Sequence, residues 1–121
     1  MMISIVSAKN QAETLTALAH EVRLGIVTML ASRPHTATEI HDACDIAAPA
    51  VSRHLRVLRE AGIIEERRPD DDRRVRIYTL RTEPIAELAS LLDELTRGWQ
   101  AQLDSFKDFV ALRTQQAKDP A

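Results

Sequence analysis

Cysteine, aromatic residues and glycine are all scarce in this chain of 121 residues, and each scarcity removes a class of protein. A single cysteine, Cys44, excludes an intramolecular disulfide framework and any multi-cysteine zinc site, and it suits a reducing compartment. Only four aromatic side chains occur, Tyr78, Trp99, Phe106 and Phe109, too few for a platform on which single-stranded RNA bases stack. Three glycines, Gly25, Gly62 and Gly98, form no phosphate-cradling loop. A nucleophile elbow and an HExxH pair are also missing, so catalysis is not expected. No run approaches the roughly 20 apolar residues that span a bilayer. Met1–Val6 lacks the charged and apolar regions of a signal peptide, so a soluble cytoplasmic protein with no membrane partner is expected.

What is present suffices for a core: 45% of the residues are hydrophobic and 28% charged, which points to one folded domain over residues 1–121. The formal net charge of −2 argues against a nonspecific polycation, but it hides a segregation. Between Pro49 and Arg81 there are nine arginines against six acidic residues, a local excess of three positive charges. The remainder of the chain is therefore acidic.

Apolar spacing predicts two N-terminal helices within residues 7–32. The first carries the stripe Ala12, Leu15, Ala17 and Leu18; the second carries Val22, Ile26, Val27 and Leu30 and is ended by Pro34. Thr36 or Thr38 can cap a third helix over about Glu39 to Cys44. Pro49 suits the first turn of a fourth that stops at Gly62, so residues 36–61 form a helix-turn-helix. Residues 63–80 then read as a β-hairpin, with Pro69 and Asp70 to Asp72 at the turn. On its return strand Val75, Ile77 and Thr79 alternate with Arg74, Arg76 and Tyr78. Thr82 and Pro84 start a long helix, residues 84–113, ahead of a polar tail from Thr114 to Ala121 that should fray. Its apolar residues Ile85, Leu88, Leu92, Leu95, Trp99, Leu103, Phe106 and Val110 recur every three or four positions. Such a seam calls for a partner.

The fourth helix, PAVSRHLRVLREAG, carries the functional signal. At 100° per residue Val51, Leu55 and Leu58 fall together towards a core, while Pro49, Arg53, Arg56 and Glu60 fall opposite, with Ser52 at the edge. Arginines on a helix that enters the major groove can form paired hydrogen bonds with guanine O6 and N7, and Ser52 with the helix N-terminus can hold a phosphate. A solvated arginine face is the plainer explanation. The hairpin adds Arg67, Arg68, Arg73, Arg74 and Arg76, suited to DNA phosphates or a narrow minor groove. Asp70, Asp71 and Asp72 oppose this unless they pair with neighbouring arginines and fix the loop.

The runs ALAHEVRLGIVTML (17–30), AVSRHLRVLREAGIIEERR (50–68) and RVRIYTL (74–80) cover about half the chain. With them the chain resembles the ArsR/SmtB family of winged helix-turn-helix regulators. The resemblance implies a mainly α fold with a small β-hairpin wing and a homodimer built from the first and last helices. It further implies two recognition helices on a palindromic double-stranded operator, usually for repression. Pro49, Ser52, Arg53 and Arg56 match the DNA-facing positions, and Leu15, Leu88, Leu92, Leu95, Trp99, Leu103 and Phe106 become the dimer-interface candidates. The wing DDDRRVRIYTL also looks like the Asp-Arg wing of the MarR family, whose flanking helices are usually longer.

Metal-sensing members often carry Cys-x-Cys at the third helix, where this chain has Thr36 and Thr38; others use histidines on the last helix, where Ile85 to Gln116 has none. No metal or other cofactor is therefore expected. The alternative is a nickel- or zinc-responsive regulator using histidine and cysteine ligands, with His41 and Cys44, three apart on one helical face, as the first pair to consider. His20, His35 and His54 are further ligand chemistry, although His54 also suits a place near the core or a phosphate. A small molecule or a protein remains open as effector, as does a pure interaction module acting through the last helix.

Overall fold

The computed structural model describes residues 5–118. In chain order the elements are α1 (Ile5–Leu18), α2 (Glu21–Ser32), β1 (His35–Thr36), α3 (Ala37–Ala43), α4 (Ala48–Glu60), β2 (Ile64–Arg67), β3 (Ile77–Leu80) and α5 (Thr82–Lys118). Contacts divide the chain into two units, Met1–Leu88 and Ala89–Ala121. Among the described residues no single helix is long and apolar enough to cross a membrane. Met1 to Ser4, most of the stretch that lacks signal-peptide character, and residues 119–121 of the expected fraying tail lie outside the described residues. The part of that tail from Thr114 to Lys118 is helical, because α5 continues through it.

The first unit is a winged helix fold closed around one core. Ile26 and Leu30 of α2, Ile40 of α3, Val51, Leu55 and Leu58 of α4, Ile63, Ile64 and Tyr78 are all buried in it. Local chemistry sets the boundaries. Thr36 accepts the Glu39 amide at 3.2 Å and the Glu39 carboxylate accepts the Thr36 amide at 3.1 Å, a reciprocal cap that starts α3. The Arg33 guanidinium 2.8 Å from that carboxylate, then the Thr36 amide, hold the Glu39 pKa down at about 2. At the other end of the helix-turn-helix, Gly62 takes φ +75°, which a side chain resists. The Gly62 amide donates to Arg59 O and the Ile63 amide to Leu58 O, both at 3.0 Å, so the carbonyls that α4 leaves open are satisfied as the chain turns into β2.

The wing is larger than a hairpin. The sheet has three strands in the order β1-β3-β2, both pairs antiparallel, with His35 opposite Tyr78 and Glu66 opposite Tyr78 on its other side. The two-residue strand β1 adds to the helix cap expected at Thr36. It pairs with β3 because the backbone entering α3 is extended at Thr36. The alternation expected from the sequence is corrected: β3 turns Tyr78 into the core at 2% exposure, and Ile77 and Thr79 are only half-buried. Arg74 and Arg76 lie before the strand.

Two packing details bear on the apolar stripes of α1 and α5. The inward face of α1 is Gln11, Thr14 and Ala17, whereas Ala12 and Leu15 are exposed. The polar pair is tolerated because Gln11 Nε2 donates to Glu87 O at 3.3 Å and Thr14 Oγ1 to Asn10 O at 3.1 Å. Leu88, a dimer-interface candidate by spacing, is 7% exposed within its own chain, since the first turns of α5 belong to the first unit. The second unit is helical and displays Leu92, Leu95, Trp99, Phe106, Phe109, Val110 and Leu112, each exposed, with Leu103 half-buried. Phe109 and Leu112 widen the stripe beyond the seam expected from spacing.

Candidate nucleic-acid interface

Helix α4 presents the expected face. Val51, Leu55 and Leu58 are at most 3% exposed, which fixes the helix rotation, and Pro49, Ser52, Arg53, Arg56, Arg59 and Glu60 face outward. Its N-cap, Ala47, makes no side-chain cap and Pro49 sits in the first turn. Beside it, Ser52, Leu55, Arg56 and Arg59 of α4 join Arg76 and Tyr78 around a recess of about 120 Å³ between helix and wing. Helix and wing thus line one cleft that carries three arginines.

Among the described residues, the nine arginines of this region fall into two groups. Arg59 and Arg68 both pair with Glu66, at 2.5 and 3.1 Å. Arg73 pairs with Asp70 at 3.4 Å, Arg74 with Asp72 at 3.2 Å and Arg81 with Glu65 at 3.3 Å. The Arg68 guanidinium also donates to Arg73 O, and Asp72 accepts the Arg74 amide, so these contacts organise the wing tip. Arg53, Arg56, Arg67 and Arg76 make no ion pair or side-chain hydrogen bond with the described residues. They are the guanidinium groups available to a ligand without breaking an internal pair.

Sequence reasoning missed Arg59, Glu66 and Tyr78. The helical projection does place Arg59 beside Ser52, on the edge of the exposed face, and that was the available signal. Glu66 lies under the cleft, its side chain 14% exposed, and the Tyr78 hydroxyl donates to it at 3.4 Å. Burial, then the Glu66 charge, pushes the Tyr78 pKa up, so the phenol stays a donor.

His54 is half-buried beside the start of α2. Its ring centroid is 4.2 Å from that of His20, and its Nδ1 is 3.3 Å from an Arg23 guanidinium nitrogen. His20 in turn accepts the Val22 amide at 3.1 Å and caps α2. Burial, then the His20, Arg23 and Arg53 charges, lowers the His54 pKa. The pairing of His41 with Cys44 on one helical face is corrected: α3 ends at Ala43, and Cys44 is an extended C-cap residue. Burial pushes the Cys44 thiol up, away from the reactive thiolate. Among the described residues no three His, Cys, Asp or Glu side chains gather where they could share a metal ion.

Comparison with known proteins agrees with this geometry. A family model described as a helix-turn-helix domain matches residues 18–67. The HTH-type transcriptional regulator YgaV of Escherichia coli (strain K12) is 33% identical over 87 residues, covering 71% of this chain and 85% of that protein. The crystal structure of the transcriptional repressor BigR from Xylella fastidiosa is similar at 34% identity and a TM-score of 0.56, with 73% of this chain and 84% of that one covered. At 24% identity, the structure of the ArsR family transcriptional regulator RHA00566 shares the fold, with a TM-score of 0.67 over 83% of this chain and 97% of that one. The extended fold match, the profile over the helix-turn-helix and relatives covered over most of their length lead to one conclusion: the chain belongs to the ArsR/SmtB family of winged helix-turn-helix transcriptional regulators.

Proposed function

We propose that the protein is a homodimeric repressor that binds a palindromic double-stranded DNA operator, with α4 as the recognition helix and the β2–β3 hairpin as the wing. The observation that carries this is the set of arginines left unpaired on one face: Arg53 and Arg56 on α4, Arg67 and Arg76 at the wing. A guanidinium that already serves an intramolecular carboxylate must give it up to bind a nucleotide; these four need not. Arg53 and Arg56 project where a helix in the major groove meets base edges, and Pro49 and Ser52 sit at the helix start, where phosphates approach. The exposed stripe of α5 and Leu15 of α1 supply the apolar surface for a second copy, because a monomer tolerates little contiguous apolar exposure. Two subunits related by a dyad would address half-sites about 34 Å apart, one helical turn.

The test is selection of bound fragments from sheared genomic DNA, with wild-type protein and an Arg53→Ala/Arg56→Ala variant compared side by side. The expected outcome is a small set of fragments sharing an imperfect palindrome, lost in the variant while its oligomeric state is retained. Equal recovery of all fragments by both proteins would refute the assignment. Genes beside the recovered operator would indicate the signal to which the repressor responds.

A further inference from the structure

We infer that Glu66 is a specificity-determining residue: a carboxylate that never touches DNA, holds two arginines off the phosphates and thereby makes binding selective. This rests on the DNA-binding reading above and goes beyond it. Glu66 is on β2, opposite Tyr78 in the sheet, and its side chain is 14% exposed beneath the cleft. Three groups from three places converge on it. Arg59 comes from the last turn of α4 at 2.5 Å, Arg68 from just past β2 at 3.1 Å, and the Tyr78 hydroxyl from the central strand at 3.4 Å.

The Arg59 contact is a direct tie between the recognition helix and the wing. It spans the Gly62 turn, where the chain passes from α4 into β2. The contact to Arg68 extends the tie to the wing tip, because Arg68 also donates to Arg73 O at 3.1 Å. With Glu66 charged, Arg59 and Arg68 are committed, and α4 and the wing are presented at one angle. Without that charge both guanidinium groups, already 47% and 46% exposed, become free to take any phosphate. Affinity for all DNA then rises as the discrimination supplied by a fixed angle falls. A residue that only stabilised the fold would give a different result, with binding to every duplex weakened together.

Glu66→Gln is the test, with Glu65→Gln as the charge-matched control. Glu65 is the next residue on the same strand, is 62% exposed and pairs with Arg81 at 3.3 Å, so it loses the same charge without touching the tie. Each variant is titrated by fluorescence anisotropy against a duplex that wild-type protein recovers from a random-sequence pool, and against its scrambled counterpart, over a salt series. For Glu66→Gln we expect scrambled-duplex affinity to rise about threefold or more. The slope of log affinity against log salt should steepen by about 0.9 for each further phosphate neutralised. The ratio of specific to scrambled affinity should fall about tenfold, while Glu65→Gln stays within about threefold of wild type. If the two variants show the same ratio, or Glu66→Gln loses both affinities in parallel, the proposal is overturned. Should thermal melting show Glu66→Gln to be unfolded, Arg59→Gln cuts the same tie from the helix side. It should lower the ratio with no gain in scrambled affinity, and an unchanged ratio would overturn the proposal. A wild-type protein that recovers no preferred sequence refutes the DNA-binding reading itself, and this inference with it.

Discussion

Trp99→Ala should convert the proposed dimer into a weakly associating monomer, and the size of the effect can be worked from the surface it exposes. Trp99 stands 63% exposed on α5, flanked along one stripe by Leu95, also exposed, and half-buried Leu103. A tryptophan offers roughly 250 Å², so a partner that covered it completely would remove on the order of 150 Å² from water, about 4 kcal/mol at 25 cal/mol per Å². Partial coverage, the retained Cβ and the cost of ordering the side chain reduce this to about 2 kcal/mol per subunit. Because a two-fold interface contains the position twice, the total is about 4 kcal/mol, close to a thousandfold in the dissociation constant. Alanine is a better helix former than tryptophan, so the helix itself should not suffer. Sedimentation equilibrium over a dilution series measures the change. The chain has only one tryptophan, so a red shift of wild-type emission on dilution reports dissociation at the same site. A wild-type protein that is monomeric at micromolar concentration, or a variant within threefold of wild type, would refute the reasoning.

Arg53→Ala or Arg56→Ala should each cost about 1 to 3 kcal/mol of operator binding and relax preference at particular bases. Arg73→Ala or Arg74→Ala should weaken binding to all duplexes and reduce the salt slope by about one for each phosphate no longer neutralised; competition with specific and scrambled duplexes separates the two behaviours. Acidification should destabilise the fold through His54. Its folded pKa lies below the ordinary 6.5, so its contribution is complete above that value and is lost as pH falls towards the depressed folded value. His54→Gln should flatten that part of a plot of melting temperature against pH, and parallel curves for the two proteins would contradict it. Zinc or nickel in modest excess should change operator affinity by less than about tenfold, or about 1.4 kcal/mol of coupling; a larger reversible change would direct attention to His41 and Cys44.

The helix-turn-helix was legible because its signals are local. Val51, Leu55 and Leu58 recur at helical spacing with charge between them, Thr36 stands three residues before Glu39, and Gly62 follows the last helical turn. Tertiary context decided the rest. Nothing near Gln11 or Thr14 announces that they face inward, since what admits them is the Glu87 carbonyl 76 residues away and a bond back to Asn10. Alternation along β3 separates Tyr78 from Ile77 and Thr79 but does not say which face meets the core, and the fold turns the Tyr78 face inward. The same limit hid the contact of Arg59 with Glu66. Seven positions separate them across a reversal of the chain, and only the closed turn at Gly62 brings a helix end beside a strand.

The burial of each arginine's partner grades what that arginine can contribute. Exposed ion pairs are worth about 0 to 1 kcal/mol. Arg73 with Asp70 and Arg74 with Asp72 are such pairs, the Asp70 side chain fully solvated, so a phosphate can replace either carboxylate at little cost. Those wing-tip arginines suit contacts that follow the backbone regardless of sequence. Glu66, shielded beneath the cleft and sharing two guanidinium groups and a phenol, exchanges far less readily. Among the described residues of this region, only Arg53, Arg56, Arg67 and Arg76 would meet DNA with no partner to give up, and two of them are on the proposed recognition helix. Outside residues 49–81 the chain carries an acidic excess that brings the total to −2, and like charge disfavours indiscriminate association with a duplex. On the proposed reading, an acidic chain can still bind DNA through a locally basic stretch, while its acidity elsewhere disfavours nonspecific contacts.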